Sequence, residues 1–138
     1  MSAQAARDIA PGARIVHKTF PPITRHQLAL YCGASGDHNP MHVDIDFAKK
    51  AGFPDVFTHG MLVMAYLGQA LSDAVVPGKL RSFSTRFLAI TQLGAEITCE
   101  GTVAELTEAG GEKCARLELV AKDQNGEAKL AGEAIVAL

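Results

Sequence analysis

Residues 61–71 are apolar at nearly every position. Met61, Leu62, Val63, Met64, Ala65, Tyr66, Leu67, Ala70 and Leu71 fall on every side of a helix that Thr58 is placed to cap. A helix that is apolar all round is a buried one. The pattern therefore predicts a central helix over about residues 58–73, enclosed by the rest of the chain and closed by Pro77-Gly78. Upstream, residues 14–20 alternate loosely and predict a first strand, which Pro21-Pro22 stops. Thr24 and Gln27 have capping-box spacing, in which each side chain satisfies the other's free backbone N–H. They open a helix through Leu28, Leu30 and Tyr31, which Gly33 weakens and Gly36 ends. Asp44 or Asp46 is placed to cap a short helix over 47–51.

Downstream the period changes. Segments 80–90, 96–107, 113–122 and 128–138 are rich in Val, Ile, Leu, Phe and Thr. They are separated by Gln92-Leu93-Gly94, Ala109-Gly110-Gly111 and Asn125-Gly126, the last a strong hairpin signal. Leu117, Leu119 and Ala121 alternate with Arg116, Glu118 and Lys122, which predicts one dry and one wet face. The order is one strand, a helical insert, a buried helix and an antiparallel meander. That order predicts an α+β domain whose sheet curls its dry face around the helix. It also leaves an edge strand open to a second copy of the chain. Residues 1–138 read as one domain, with 1–12 an N-terminal arm and 35–57 a loop and short helical insert.

Composition narrows the classes. A net charge of -2 gives no basic face for nucleic acid. No apolar run reaches the roughly 20 residues that span a bilayer. Met1-Ser2-Ala3-Gln4 lacks the start of a secretory signal. Cys32, Cys99 and Cys114 are widely spaced and odd in number, which suits reduced thiols and a cytoplasmic protein.

The chemistry concentrates in Ser35-Gly36-Asp37-His38-Asn39-Pro40-Met41-His42-Val43-Asp44. Carboxylates and imidazoles are the groups that move protons near neutral pH. Asp37 and His42 suit joint activation of a water, and Asn39-Pro40 stiffens the loop between them. The same spacing also suits an Asx turn at Asp37 with His42 as a surface residue. Asp37, His42, Asp44, Asp46 and His59 are possible metal ligands by type, but no metal-binding spacing joins them. His59-Gly60 precedes the buried helix, whose first N–H groups make an oxyanion site if Gly60 admits a ligand. Gly60 is equally suited to close helix–sheet packing. Lys49, Lys50, Lys79, Arg81 and Arg86 are candidates to meet phosphates or are ordinary solvated charges.

Together these residues resemble the MaoC-like, or hydratase 2, family of hot-dog proteins. The resemblance lies in Tyr31, Ser35-Gly36-Asp37-x-Asn39-Pro40-x-His42, Ala48 and His59-Gly60-Met61-Leu62, and spans about residues 12–90. It implies a five-stranded antiparallel sheet around a long helix, usually as a dimer. It implies (R)-specific hydration of trans-2-enoyl thioesters of CoA or acyl carrier protein, or the reverse dehydration, without a cofactor. Under it Asp37 and His42 match the catalytic pair. Asn39 matches an orienting polar residue, and His59-Gly60 the substrate-binding site with its backbone donor. Ile90-Thr91-Gln92-Leu93-Gly94-Ala95 departs from the family pattern, keeping a Gly but lacking a Pro and an Asp. A thioesterase on the same helix terminus, or a non-catalytic acyl-binding subunit of a heteromer, remains an alternative. Homodimer, heterodimer and higher assemblies all remain open.

Overall fold

The computed structural model describes residues 9–138, so most of the arm expected over 1–12 lies outside the described residues. Five strands form one sheet: β1 (Arg14–Thr19), β2 (Leu80–Phe87), β3 (Thr98–Ala109), β4 (Glu112–Lys122) and β5 (Ala128–Ala137). Three α-helices precede β2: α1 (Arg25–Ser35), α2 (Ile45–Lys50) and α3 (Gly60–Ala74). Single 3-10 turns occupy Pro40–His42 and Pro77–Lys79.

The sheet is antiparallel throughout, in the order β1-β3-β4-β5-β2. Only β3, β4 and β5 form the expected meander. β2 pairs with β5 at the far edge, and the chain then crosses back to place β3 beside β1. Residues 88–97 make that crossing and are too long for a hairpin turn. They are tied down on the way: Gly94 N–H donates to Ile23 O (2.8 Å), and Phe20 N–H donates to Ile97 O (2.8 Å). The β3–β4 hairpin turns at Gly110 and Gly111 with φ of 58° and 76°, a left-handed geometry that glycine adopts without strain.

α3 lies across the dry face and packs against all five strands. Leu62, Val63, Tyr66, Leu67, Ala70 and Leu71 are buried there with Ile97, Val103, Leu117, Leu119 and Leu130. The helix is not enclosed on every side. Met61, Ala65, Gln69 and Asp73, spaced one turn apart, form an exposed stripe because the sheet covers only the opposite face.

Two helix starts differ from the sequence expectation. Thr24 accepts from the Gln27 N–H (3.1 Å), but the Gln27 amide turns away from the reciprocal bond to the Tyr66 hydroxyl. His59, not Thr58, is the residue before α3, and its side chain makes no capping bond. Thr58 is drawn into the core, where its N–H donates to Thr91 O (2.8 Å). Asp44 rather than Asp46 caps α2, accepting from the Asp46 and Phe47 N–H groups.

Candidate active site

The loop after α1 is built from short-range turns. α1 ends where Gly36 takes φ 75° and donates its N–H to Cys32 O. Ser35 Oγ donates to Tyr31 O (2.7 Å) and accepts from Asp37 N–H (3.1 Å). Asp37 Oδ1 accepts from Asn39 N–H (3.2 Å), and Asn39 Oδ1 accepts from Met41 N–H (3.1 Å). The turn-making and proton-moving readings of Asp37 are therefore compatible. Oδ1 makes the Asx turn, while Oδ2 faces His42 Nε2 at 3.9 Å. Asp37 is about half exposed and His42 is buried, so the pair sits at a boundary between water and core.

The His42 ring is oriented from behind. Its Nδ1 lies 2.7 Å from the carbonyl oxygen of Phe57. A carbonyl only accepts, so Nδ1 carries the hydrogen and the lone pair of the neutral ring is on Nε2, facing Asp37. Phe57 is itself fixed by a β-bridge to Gln92. Nothing in the sequence marks this carbonyl, because a backbone acceptor has no residue type.

His59 takes a different place from the one its sequence position suggests. It is 1% exposed and lies under His42, with ring centroids 3.8 Å apart and planes 25° from parallel. Its Nε2 donates to Asp37 O (3.2 Å), and Cys32 Sγ lies 3.5 Å from the same nitrogen. Its Nδ1 is buried without a partner among the described residues. Burial holds the His59 pKa below its ordinary value, against the opposing pull of the Asp37 carbonyl. This neutral ring supports the loop and does not reach a ligand from solvent. Tyr31 packs edge-on to it, and burial followed by the Asp37 charge raises the Tyr31 pKa.

The side-chain oxygen of Asn39 accepts from Met41 N–H and caps the 3-10 turn that carries His42, so Asn39 shapes the loop. Asp44 is occupied as the cap of α2. The only expected metal-ligand types brought together are Asp37, His42 and His59, whose donor atoms lie within 4.8 Å. The two imidazoles are stacked, so an ion bound in the plane of one would lie out of the plane of the other.

Gly60 opens α3, and its N–H has no partner within the helix, whereas the Leu62 N–H already donates to His59 O (3.1 Å). A Cβ at Gly60 would lie 2.9 Å from two carbons of the Phe87 ring. A cavity of about 360 Å³ adjoins it, lined by Phe57, Thr58, Gly60, Phe87, Ile90 and Thr91 among others. The cavity thus joins the helix N-terminus to the residue that orients His42. Of the basic candidates, Arg81 is held by Glu112 in a two-pronged ion pair, and Lys79 Nζ donates to Leu138 O.

A family model described as a MaoC like domain matches residues 7–125. The chain belongs to the MaoC-like family. It is 33% identical over 115 residues to the (R)-specific enoyl-CoA hydratase of Aeromonas caviae, covering 81% of this chain and 84% of that one. It is 35% identical over 80 residues to the peroxisomal enoyl-CoA hydratase 2 of Arabidopsis thaliana, covering 56% of this chain. That relative, the fatty acid synthase subunit beta of Aspergillus oryzae and the peroxisomal hydratase-dehydrogenase-epimerase of Neurospora crassa are much longer. This MaoC-like chain spans 26%, 4% and 8% of their lengths. Among solved structures, the R-hydratase PhaJ1 of Pseudomonas aeruginosa superposes with a TM-score of 0.82 at 28% identity, covering 96% of this chain and 84% of that one. The hot-dog architecture is shared with these structures.

Proposed function

We propose that this MaoC-like protein adds water to trans-2-enoyl thioesters, and removes it from (3R)-hydroxyacyl thioesters, with Asp37 and His42 as the catalytic pair. The observation that carries this reading is the lone-pair nitrogen of His42 facing the free oxygen of Asp37 beside the start of α3. A water between the two hydrogen-bonds to both. Its oxygen bonds to C3 as His42 Nε2 takes a proton, and the C2–C3 π pair moves toward the thioester carbonyl. The Gly60 N–H stabilises the resulting enolate oxygen at the positive end of α3. A proton then returns to C2, the thioester re-forms, and one water has been added. Relatives named (R)-specific enoyl-CoA hydratase and 3-hydroxyacyl-thioester dehydratase X support this reading. The step uses no metal and no cofactor, since Asp37, His42 and one backbone N–H perform each proton and charge transfer.

The acyl group enters the cavity beside Gly60, whether it comes from acyl-CoA or from an acyl carrier protein. The protein works as a homodimer, because β2 is a sheet edge that ends in exposed Phe87 and is followed by exposed Leu88 and Ile90. It is cytoplasmic, as three free, buried thiols suggest. No helix of the described residues is long and apolar enough to cross a membrane.

Crotonyl-CoA tests the reading. Purified protein is expected to deplete the enoyl-thioester absorbance without releasing free CoA. Release of thiol would instead make it a thioesterase, and no turnover on short, medium or long enoyl-CoAs would overturn the assignment.

A further inference from the structure

Lys129 is 3% exposed, a burial that an ammonium tolerates only with every donor engaged. It has three donors and three partners. Nζ donates to Ile90 O (2.9 Å) and to the Glu127 carboxylate, and pairs with Asp123 Oδ2 (3.4 Å). Both carboxylates belong to the β4–β5 hairpin, where Asp123 also accepts from the Asn125 and Glu127 N–H groups. Burial pushes the Asp123 carboxyl up, but the Glu127 and Asn125 N–H bonds, followed by the Lys129 ammonium, hold it below its usual range.

Ile90 is on the crossing segment between β2 and β3, and that segment leads back to the site. Leu88 N–H donates to Lys129 O (2.9 Å), so both ends of this lysine grip the segment. The next residue, Thr91, accepts the Thr58 N–H through its carbonyl. Gln92 bridges Phe57, and the Phe57 carbonyl orients His42. Ile90 and Thr91 also line the cavity beside Gly60. A buried cation thus fixes the backbone that sets the His42 tautomer.

We propose that Lys129 is a positioning residue for His42, acting through residues 90–92 and the Phe57 carbonyl. The ammonium holds the Ile90 carbonyl, the segment holds Phe57, and Phe57 keeps the hydrogen of His42 on Nδ1 and the lone pair on Nε2. Displacements on the order of 1 Å in such a support can cost about 100-fold in rate. An ion pair with only a structural role predicts otherwise: removing one partner lowers stability by leaving the other charge unpaired, but leaves the His42 tautomer and the kcat of the folded protein unchanged.

Lys129→Met tests this with two readouts. Nitrogen-15 correlation spectra of the imidazoles are expected to show His42 as the Nδ1–H tautomer in the wild type and as a tautomer mixture in the variant. The kinetic readout rests on the hydratase reading: kcat for crotonyl-CoA is expected to fall about 100-fold with KM nearly unchanged. A folded variant with the wild-type tautomer and wild-type kcat overturns the proposal. If Lys129→Met does not fold, the double variant Asp123→Asn, Glu127→Gln loosens the ammonium from the exposed hairpin, and wild-type values in both readouts overturn it as well. If the wild type itself turns over no enoyl-CoA, the hydratase reading fails, while the spectra still decide the role of Lys129.

Discussion

The imidazole of His59 lies against that of His42, ring centroid to ring centroid at 3.8 Å, and is closed off from solvent. Two protonated rings at that distance repel, and burial already disfavours a charge on His59. Its folded-state pKa therefore lies below its ordinary value. Below about pH 6.5 the unfolded chain takes up a proton that the folded chain refuses. Stability contributed by neutral His59 is thus full above that pH and lost as pH falls toward the folded pKa. Urea midpoints at about pH 7.5 and about pH 5.5 check this. The wild type is expected to lose more on acidification than His59→Gln, whatever the variant's stability at the higher pH. Equal losses would show that His59 does not titrate in this way.

Removing either member of the proposed catalytic pair, Asp37 and His42, is expected to cost about 100-fold or more in crotonyl-CoA hydration. Asp37→Asn keeps the Asx turn, because its amide oxygen still accepts from Asn39 N–H, but it loses the charge facing His42. Its melting temperature is therefore expected to stay near that of the wild type while activity falls. His42→Ala removes both the base and the bond to Phe57, so it is expected to lose stability as well as rate. Unchanged rates in both variants would remove these residues from the mechanism.

Which parts of this were legible in the sequence follows from the range of the interactions. Gly36, Asp44 and the turn at Gly110-Gly111 act within a few residues, and their chemistry marks them directly. The apolar run in α3 announced a buried helix, but its exposed stripe depends on how far one sheet reaches around it. The β2–β5 pairing was hidden because nothing in either strand names its partner. At the site, residue types pointed to Asp37 and His42. The Phe57 carbonyl behind His42 and the burial of His59 are products of the fold.

Asp44 offers a test of local chemistry set apart from the site. α2 is six residues long, and the Asp44 carboxylate satisfies two of its first N–H groups. Asp44→Ala is expected to cost about 1 kcal/mol of stability, and Asp44→Ser to recover most of it. Denaturant midpoints of the three proteins measure this. Equal midpoints would show that the packing of Ala48 and Ile45, not the cap, holds the helix.

Gly60 combines two requirements that can be separated. Its backbone φ is not in the left-handed region, so alanine is not strained there by conformation. What a side chain would meet is the half-exposed Phe87 ring, 2.9 Å from the position a Cβ would take, so the ring must shift to admit it. Gly60→Ala is expected to cost about 1–3 kcal/mol through overpacking and to raise KM for crotonyl-CoA by narrowing the cavity. Phe87→Ala removes the clash, and the double variant is expected to recover stability relative to Gly60→Ala, with a coupling of about 0.5–3 kcal/mol between the two positions. If the costs simply add, the clash is relieved elsewhere and Phe87 does not set the size limit at the start of α3. If stability recovers but KM does not, the added methyl group obstructs the carbonyl's approach to the Gly60 N–H itself. That outcome would separate the proposed oxyanion role of the glycine from its packing role.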